Sequence, residues 1–380
     1  MSTAPHSPFD LAVAGGGIFG LNIAYRAIQA GMHVVVLEAD HIGAGASGGL
    51  LGALMPHMPA RWNPKKQFQF DALSSLPAHV QELEATTGMS AGYRACGRIL
   101  PIVSEDRLAH HHERAEEALE RWKPQDTGFS YRVEPHGAYA DWLSPSAAPH
   151  GLVHETLAAR VAPRDYLAAL AHAIRAQNSL LEGVRLDAYD EVTGKLDASG
   201  HTGALYARNL VLATGYEIFP QIAALTGPMI GRGEKGQAVL LEGHGLEERP
   251  AIYCDGLYVV PHDNGTVAVG STSERHDETR HVDAEMTDEL LRRAVAFCPA
   301  LAGRAVLERW AGVRPRCNKR DPLVGRLPGQ QRTYIAAGGF KISFGIAHLL
   351  ADALIAELTD TPARFSLPET FRPGHHFPGL

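Results

Sequence analysis

The chain has 380 residues, of which 45% are apolar and 20% charged, with a net charge of -7 at neutral pH. This composition excludes an intrinsically disordered chain and a coiled coil, and it leaves enough apolar mass for a core without disulfide staples. The acidic balance speaks against nucleic acid as the main partner, because a surface that tracks phosphates is basic.

No apolar run reaches the ~18 residues that a membrane span needs. The richest stretch, Ile342 to Leu358, carries His348, Asp352 and Glu357. Met1 to Asp10 lacks the basic cluster and apolar run of a leader peptide. Cys96, Cys254, Cys298 and Cys317 are scattered and form no Cys-x-x-Cys pair. A reduced, cytoplasmic protein without structural zinc is expected.

In chain order, Phe9 to Ala14 reads as an apolar strand that runs into Gly15-Gly16-Gly17-Ile18-Phe19-Gly20, a G-x-G-x-x-G turn. Leu21 to Ala30 has helical spacing and is stopped by Gly31. His33 to Leu37 is a β-branched strand closed by Glu38 and Ala39. Strand, glycines, helix, strand and terminal acid in this order predict a dinucleotide site. Gly15 permits the sharp turn, Gly17 lets backbone approach a pyrophosphate, and Gly20 lets the helix lie against the strand. The helix amides then face the phosphates. Glu38 would accept from a ribose diol and repel a 2′-phosphate, which disfavours NADP.

A second glycine-rich loop follows, Gly43-Ala44-Gly45-Ala46-Ser47-Gly48-Gly49, leading through Leu50 and Leu51 to Met55, Pro56, His57 and Met58. Its amides and the Ser47 hydroxyl can join the same pyrophosphate, as a nucleotide held along its whole length requires. Gly92 to Val103, Gly236 to Leu241, Ile252 to Val260 and Thr266 to Gly270 pattern as strands joined by short turns, which favours an antiparallel sheet. Glu105 to Trp122 reads as a charged helix that carries His110-His111-His112 on a solvated face. Arg164 to Gln177 has helical periodicity, and Asn209 to Leu212 is a strand ending in Ala213-Thr214-Gly215. His375-His376 lies in a Pro/Gly-rich end that reads as mobile.

Taken together, Ala14 to Gly20, Glu38 and Ala46-Ser47-Gly48-Gly49 resemble the D-amino-acid oxidase superfamily of FAD-dependent amine oxidoreductases, in the branch of glycine oxidase, sarcosine oxidase and D-amino-acid dehydrogenase. Three later stretches extend the resemblance. The strand end Ala213-Thr214-Gly215 is similar to the one that passes near FAD, and Gly183-Val184-Arg185-Leu186 to the strand that touches adenine, which makes Val184 a contact. Trp310-Ala311-Gly312-Val313-Arg314-Pro315 and Asp321-Pro322-Leu323-Val324-Gly325 resemble the segment whose arginine grips the substrate carboxylate. Arginine suits that task because its planar fork pairs with a carboxylate through two hydrogen bonds. Arg316 competes with Arg314 for the role, because Arg316 to Arg320 is longer and more basic than the usual linker. Gly338-Gly339-Phe340-Lys341 is similar to the loop over the flavin pyrimidine edge, where Lys341 would stabilise negative charge as the flavin is reduced. Tyr258-Val259-Val260-Pro261 resembles the motif whose tyrosine hydroxyl also reaches the carboxylate.

The resemblance implies an α/β fold: a Rossmann-like FAD-binding domain beside a substrate domain on a mixed, largely antiparallel sheet. The first would comprise residues 1–80, 162–228 and 310–365, the second 81–161 and 229–309, with 366–380 as a tail. It implies noncovalent FAD, since the offset of Cys317 from Asp321 does not match the covalently flavinylated relatives. Arg314, Tyr258 and Lys341 would be the catalytic residues. The expected reaction is hydride transfer from Cα–H of an amino acid or secondary amine to flavin N5, giving an imine that hydrolyses to an oxo acid, with oxygen or a carrier as electron acceptor. A homo- or hetero-oligomer is open. Two alternatives also stay open: an FAD domain of a tRNA-modifying type, and a non-catalytic flavin subunit of an opine-oxidase-like complex. No metal site is expected.

Overall fold

The computed structural model describes residues 8–275 and 277–379. The leader reading of the first ten residues falls, up to residue 7, outside the described residues, as does Leu380 of the tail.

The β-branched and aliphatic runs form a first sheet in the spatial order Leu323–Arg326, Thr333–Ala337, Leu205–Leu212, Phe9–Ala14, Val34–Glu38, Leu180–Glu182. Phe9–Ala14 lies parallel to both Leu205–Leu212 and Val34–Glu38. Such strands are buried on both faces and read as continuous apolar runs, which is why they were plain in the sequence. The helix Ile18–Gln29 starts three residues before its apolar spacing suggests, with Gly17 at its N-cap, and buries Ile18 and Phe19. It packs on the sheet beside Ser343–Leu358 and Pro163–Arg175. On the other face, Arg185–Tyr189 and Lys195–Ser199 extend antiparallel from Leu205–Leu212 over a smaller core around Leu210, Phe219 and Ile335.

The second sheet runs Glu274–Arg275, Gly231–Glu242, Thr266–Gly270, Leu257–His262, Ala251–Cys254, Arg98–Pro101, Leu152–Glu155, Tyr131–Glu134. All these pairs are antiparallel except Ala251–Cys254 with Arg98–Pro101, so the sheet is mixed. One face buries Val239, Val259, Val267 and Val269 under the helix Ala284–Phe297. The opposite face turns toward the first sheet.

The expected boundaries at 80/81 and 309/310 fall inside the helix Pro64–Thr87 and the strand Val306–Cys317. That strand pairs with Gly231–Glu242 along nearly its whole length, so residues 310–317 stay with the second sheet. Two further expectations change. His111 is not on a solvated face: it is buried, with Nδ1 2.7 Å from the Tyr131 hydroxyl. The chain end is not a mobile tail: His376 and Phe377 are buried, and His376 Nε2 lies 3.0 Å from the Pro322 carbonyl. No helix among the described residues is long and apolar enough to cross a membrane.

Candidate functional site

A cavity runs between the two sheets, lined at one end by Ala14, Leu37, Glu38, Leu212 and Ala337. These are the carboxyl ends of the parallel strands of the first sheet, where open α/β sheets bind their ligands.

At this end the backbone does the shaping. Gly15 has φ +112°, and a Cβ there would fall on the Ala213 carbonyl. A Cβ on Gly20 would fall on the Gly15 carbonyl, so the helix can approach the strand only through glycine. The Ser47 hydroxyl accepts from Ile18 N at 3.0 Å, tying the second glycine loop to the first helical turn. That turn carries no acid, and Gly17 supplies no side-chain cap. Its amide dipole is left for an anion. Glu38 accepts from Gly16 N at 2.6 Å and from Asp40 N at 2.9 Å. Val184 N donates to the Glu38 carbonyl at 2.8 Å, and Val184 lines the cavity. Thr214 Oγ1 is buried with no hydrogen-bond partner although it lines the cavity.

Of the expected cofactor contacts, Gly15, Gly17, Ile18, Phe19, Glu38, Ala39, Ala46, Ser47, Leu51, Val184, Thr214 and Gly215 line the cavity. Gly20, Gly48, Ala213, Gly338 and Gly339 lie one layer behind it. Their part is to permit close packing: Gly48 against the Gly43 carbonyl, Gly338 against Cys317 Sγ, Gly339 against Phe19 and Ser343.

The far end is built from side chains of the second sheet. Arg314 donates through Nη1 to Ser271 Oγ at 3.1 Å, and through Nη2 to the carbonyls of Thr272 at 2.7 Å and Lys235 at 3.1 Å. None of these partners is charged. Burial pushes its guanidinium down to about 10. A Cβ on Gly236 would fall on the Arg314 guanidinium, so that glycine is the recess in which the arginine lies. The Phe340 ring sits against three cations, 5.3 Å from Arg314, 5.1 Å from Arg316 and 5.6 Å from Lys341. Arg316 forms an ion pair with the buried Glu234 and does not line the cavity, which removes it as the competitor of Arg314. Lys341 lines the cavity, and its ammonium is held below the usual lysine range by burial and by Arg314.

Tyr258 packs against Tyr253 with the rings tilted and 4.6 Å between centroids, and lines the same end. His57 lines it as well, and burial drives its imidazole down to about 4, so it is neutral. The His262 Nε2 lies 3.0 Å from the Leu50 carbonyl and steadies the loop rather than the cavity. Sequence reasoning missed Arg98, Ser271, Gly236 and Arg280, all of which line the cavity. Their signal was weak because each acts from an ordinary strand or loop with no local motif.

The family described as DAO, FAD dependent oxidoreductase, matches residues 10–353. A glycine oxidase from Bacillus licheniformis is 24% identical over 376 residues, covering 96% of each chain. Among solved structures, a glycine oxidase from Geobacillus kaustophilus aligns with TM-score 0.82 and 22% identity over 96% of this chain and 98% of the other. An iminodiacetate oxidase from Chelativorans sp. BNC1 aligns with TM-score 0.84 and 21% identity over the same shares.

Proposed function

The chain belongs to the FAD-dependent oxidoreductase family, and from that premise we propose that it oxidises the carbon–nitrogen bond of an amino acid or N-substituted amino acid. The residues suit FAD. The glycine turn and uncapped helix meet a diphosphate, Glu38 meets a ribose, and the unpartnered Thr214 hydroxyl awaits a polar group. Cys317 is buried beneath Gly338 with its thiol pushed up to about 12, so noncovalent binding fits this chain.

When bound, FAD supplies the two-electron acceptor that takes hydride from the substrate Cα. The protein contributes orientation and charge. Arg314 grips the carboxylate through its unshared hydrogen-bonding capacity, with the Tyr258 hydroxyl as a second donor. Its carbonyl and hydroxyl partners hold it in place without neutralising it. Lys341 would supply positive charge to stabilise the flavin as it is reduced. No side chain of the cavity is asked to remove a proton from carbon. The neutral His57 adds no positive charge to the cavity, and the hydride leaves the Cα of the unprotonated amine. Water then hydrolyses the imine, and oxygen or a carrier accepts the electrons.

The observation that carries this reading is a half-buried arginine whose hydrogen-bond partners are all neutral, facing the cavity across from the glycine cradle. The relatives named glycine oxidase support it, and the two alternatives left open by the sequence draw no support from them. Anaerobic mixing of the yellow holoenzyme with glycine, sarcosine, proline, D-amino acids and iminodiacetate tests it. Bleaching of the flavin by at least one carboxylated amine is expected. A flavin that stays oxidised with all of them overturns the proposal.

A further inference from the structure

A second guanidinium opens on the end of the cavity that holds Arg314. Arg98 lies on the strand Arg98–Pro101, lines the cavity beside Tyr258, and has only 6% of its side chain exposed. Glu155, on the neighbouring strand and directly opposite in register, is fully buried behind it, with Oε1 2.9 Å from Arg98 Nε. The other carboxylate oxygen of Glu155 accepts from Ala158 N at 3.1 Å, so the acid is fixed in place. Glu155 does not line the cavity. It therefore balances the charge of Arg98 from the rear, while a guanidinium with five donors keeps capacity for a second acceptor.

Charge along the cavity is divided. The carboxylates that line it, Glu38, Asp40 and Glu217, belong to the nucleotide end. The far end presents Arg98, Arg314 and Lys341 and, among the described lining residues, no acid. Arg314 and Arg98 are linked through neighbours that line the same cavity. Arg314 donates to Ser271, Ser271 follows Gly270, Gly270 pairs with Tyr258, and Arg98 lies two strands beyond Tyr258. Arg98 is buried, and the free N–H donors of a guanidinium taken out of water are costly unless an acceptor joins them. One carboxylate satisfies Arg314 and leaves the capacity of Arg98 unused.

We propose that the substrate is a dicarboxylic amine, whose first carboxylate is gripped by Arg314 with the Tyr258 hydroxyl and whose second is gripped by Arg98. The assignment rests on the amine-oxidation reading above. Arg98 would then be the residue that sets specificity for a second acidic group.

The test needs no turnover, so it stands apart from the fate of the amine reading. Unreactive malonate, succinate, glutarate and adipate are titrated into the holoenzyme beside acetate, propionate, butyrate and valerate, and binding is followed by the shift in flavin absorbance. At least one dicarboxylate should bind about tenfold or more tightly than the monocarboxylate of similar length, the worth of one charge-assisted pair. In Arg98→Met that ratio should fall to about one, and Arg98→Lys should recover part of it. No dicarboxylate preference in the wild-type protein overturns the proposal. An undiminished ratio in Arg98→Met, with both ligand classes weakened alike, also overturns it and leaves Arg98 as a structural ion-pair partner. Should Arg98→Met fail to retain flavin, the wild-type titration and Arg98→Lys decide the matter.

Discussion

The two ends of the cavity are made in different ways. The nucleotide end is backbone: glycines that admit close approach, a helix start with free amides, and a single acid at a strand end. All of these come from one contiguous stretch, residues 9–52. The far end is side chains gathered from strands separated by more than 200 residues, Arg98, Tyr258 and Arg314, with Gly236 leaving room for one of them. A phosphate can be met by whatever backbone lies near a helix start. A carboxylate beside a reacting carbon needs a charged fork in one orientation. On the proposed reading, the difference teaches that cofactor binding depends on close packing, and substrate recognition on charge held in a recess.

The sharpest break should come at the nucleotide end. Gly20→Val would force the helix off the Gly15 carbonyl; we expect material that retains no flavin, measured as the absorbance ratio of the purified protein at the flavin and protein bands. Retained yellow colour would show that the cradle tolerates a side chain. At the far end, Arg314→Ala should leave the flavin bound but lower kcat/KM for carboxylated amines by ~10²-fold or more, the worth of a strong charge-assisted pair. Equal kcat/KM in the two proteins would detach Arg314 from the substrate.

Gly236→Ala probes the recess itself. Its Cβ would displace the guanidinium, and we expect KM to rise about tenfold with flavin content unchanged, as a misplaced group costs orientation. A KM within twofold of wild type would show that Arg314 is free to shift. Charge can be removed by pH as well. Burial lowers the Arg314 pKa to about 10, so its positive form is present below that pH and is lost as pH rises through it. The affinity of the free holoenzyme for acetate should halve near pH 10 and keep falling, whereas an affinity flat to pH 11 would deny Arg314 the role. The smallest effect is expected from Lys341→Met. Losing a cation beside the flavin should lower its two-electron potential by ~30 mV, or ~1.4 kcal/mol. An unmoved potential would place Lys341 away from the ring.

Much of the first region was readable before any coordinates. The run from Phe9 to Glu38 has both a period and a motif, because a parallel strand is apolar throughout and the turn must be glycine. Gly20, Gly48, Gly338 and Gly339 show the limit of that reading. A motif marks where glycine is required, and it does not say whether the reason is a ligand or a neighbouring carbonyl. The second region was readable only where a local pattern surrounds the residue, as around Arg314 and Tyr258. Arg98 sits in an unremarkable strand, and nothing near it in the chain announces Glu155. His111 misled for the opposite reason: three histidines among charges look solvated until Tyr131 arrives from another strand to cover one.

The order of residues alone set the glycine turn and the helix start at the beginning of this chain, because that cradle is made by neighbours in sequence. Which arginine faces the cavity was settled by folding, because a guanidinium is committed or free only according to what lies beside it. Arg316 meets Glu234 from an adjacent strand, while Arg314, two residues earlier on the same strand, meets only carbonyls and a hydroxyl.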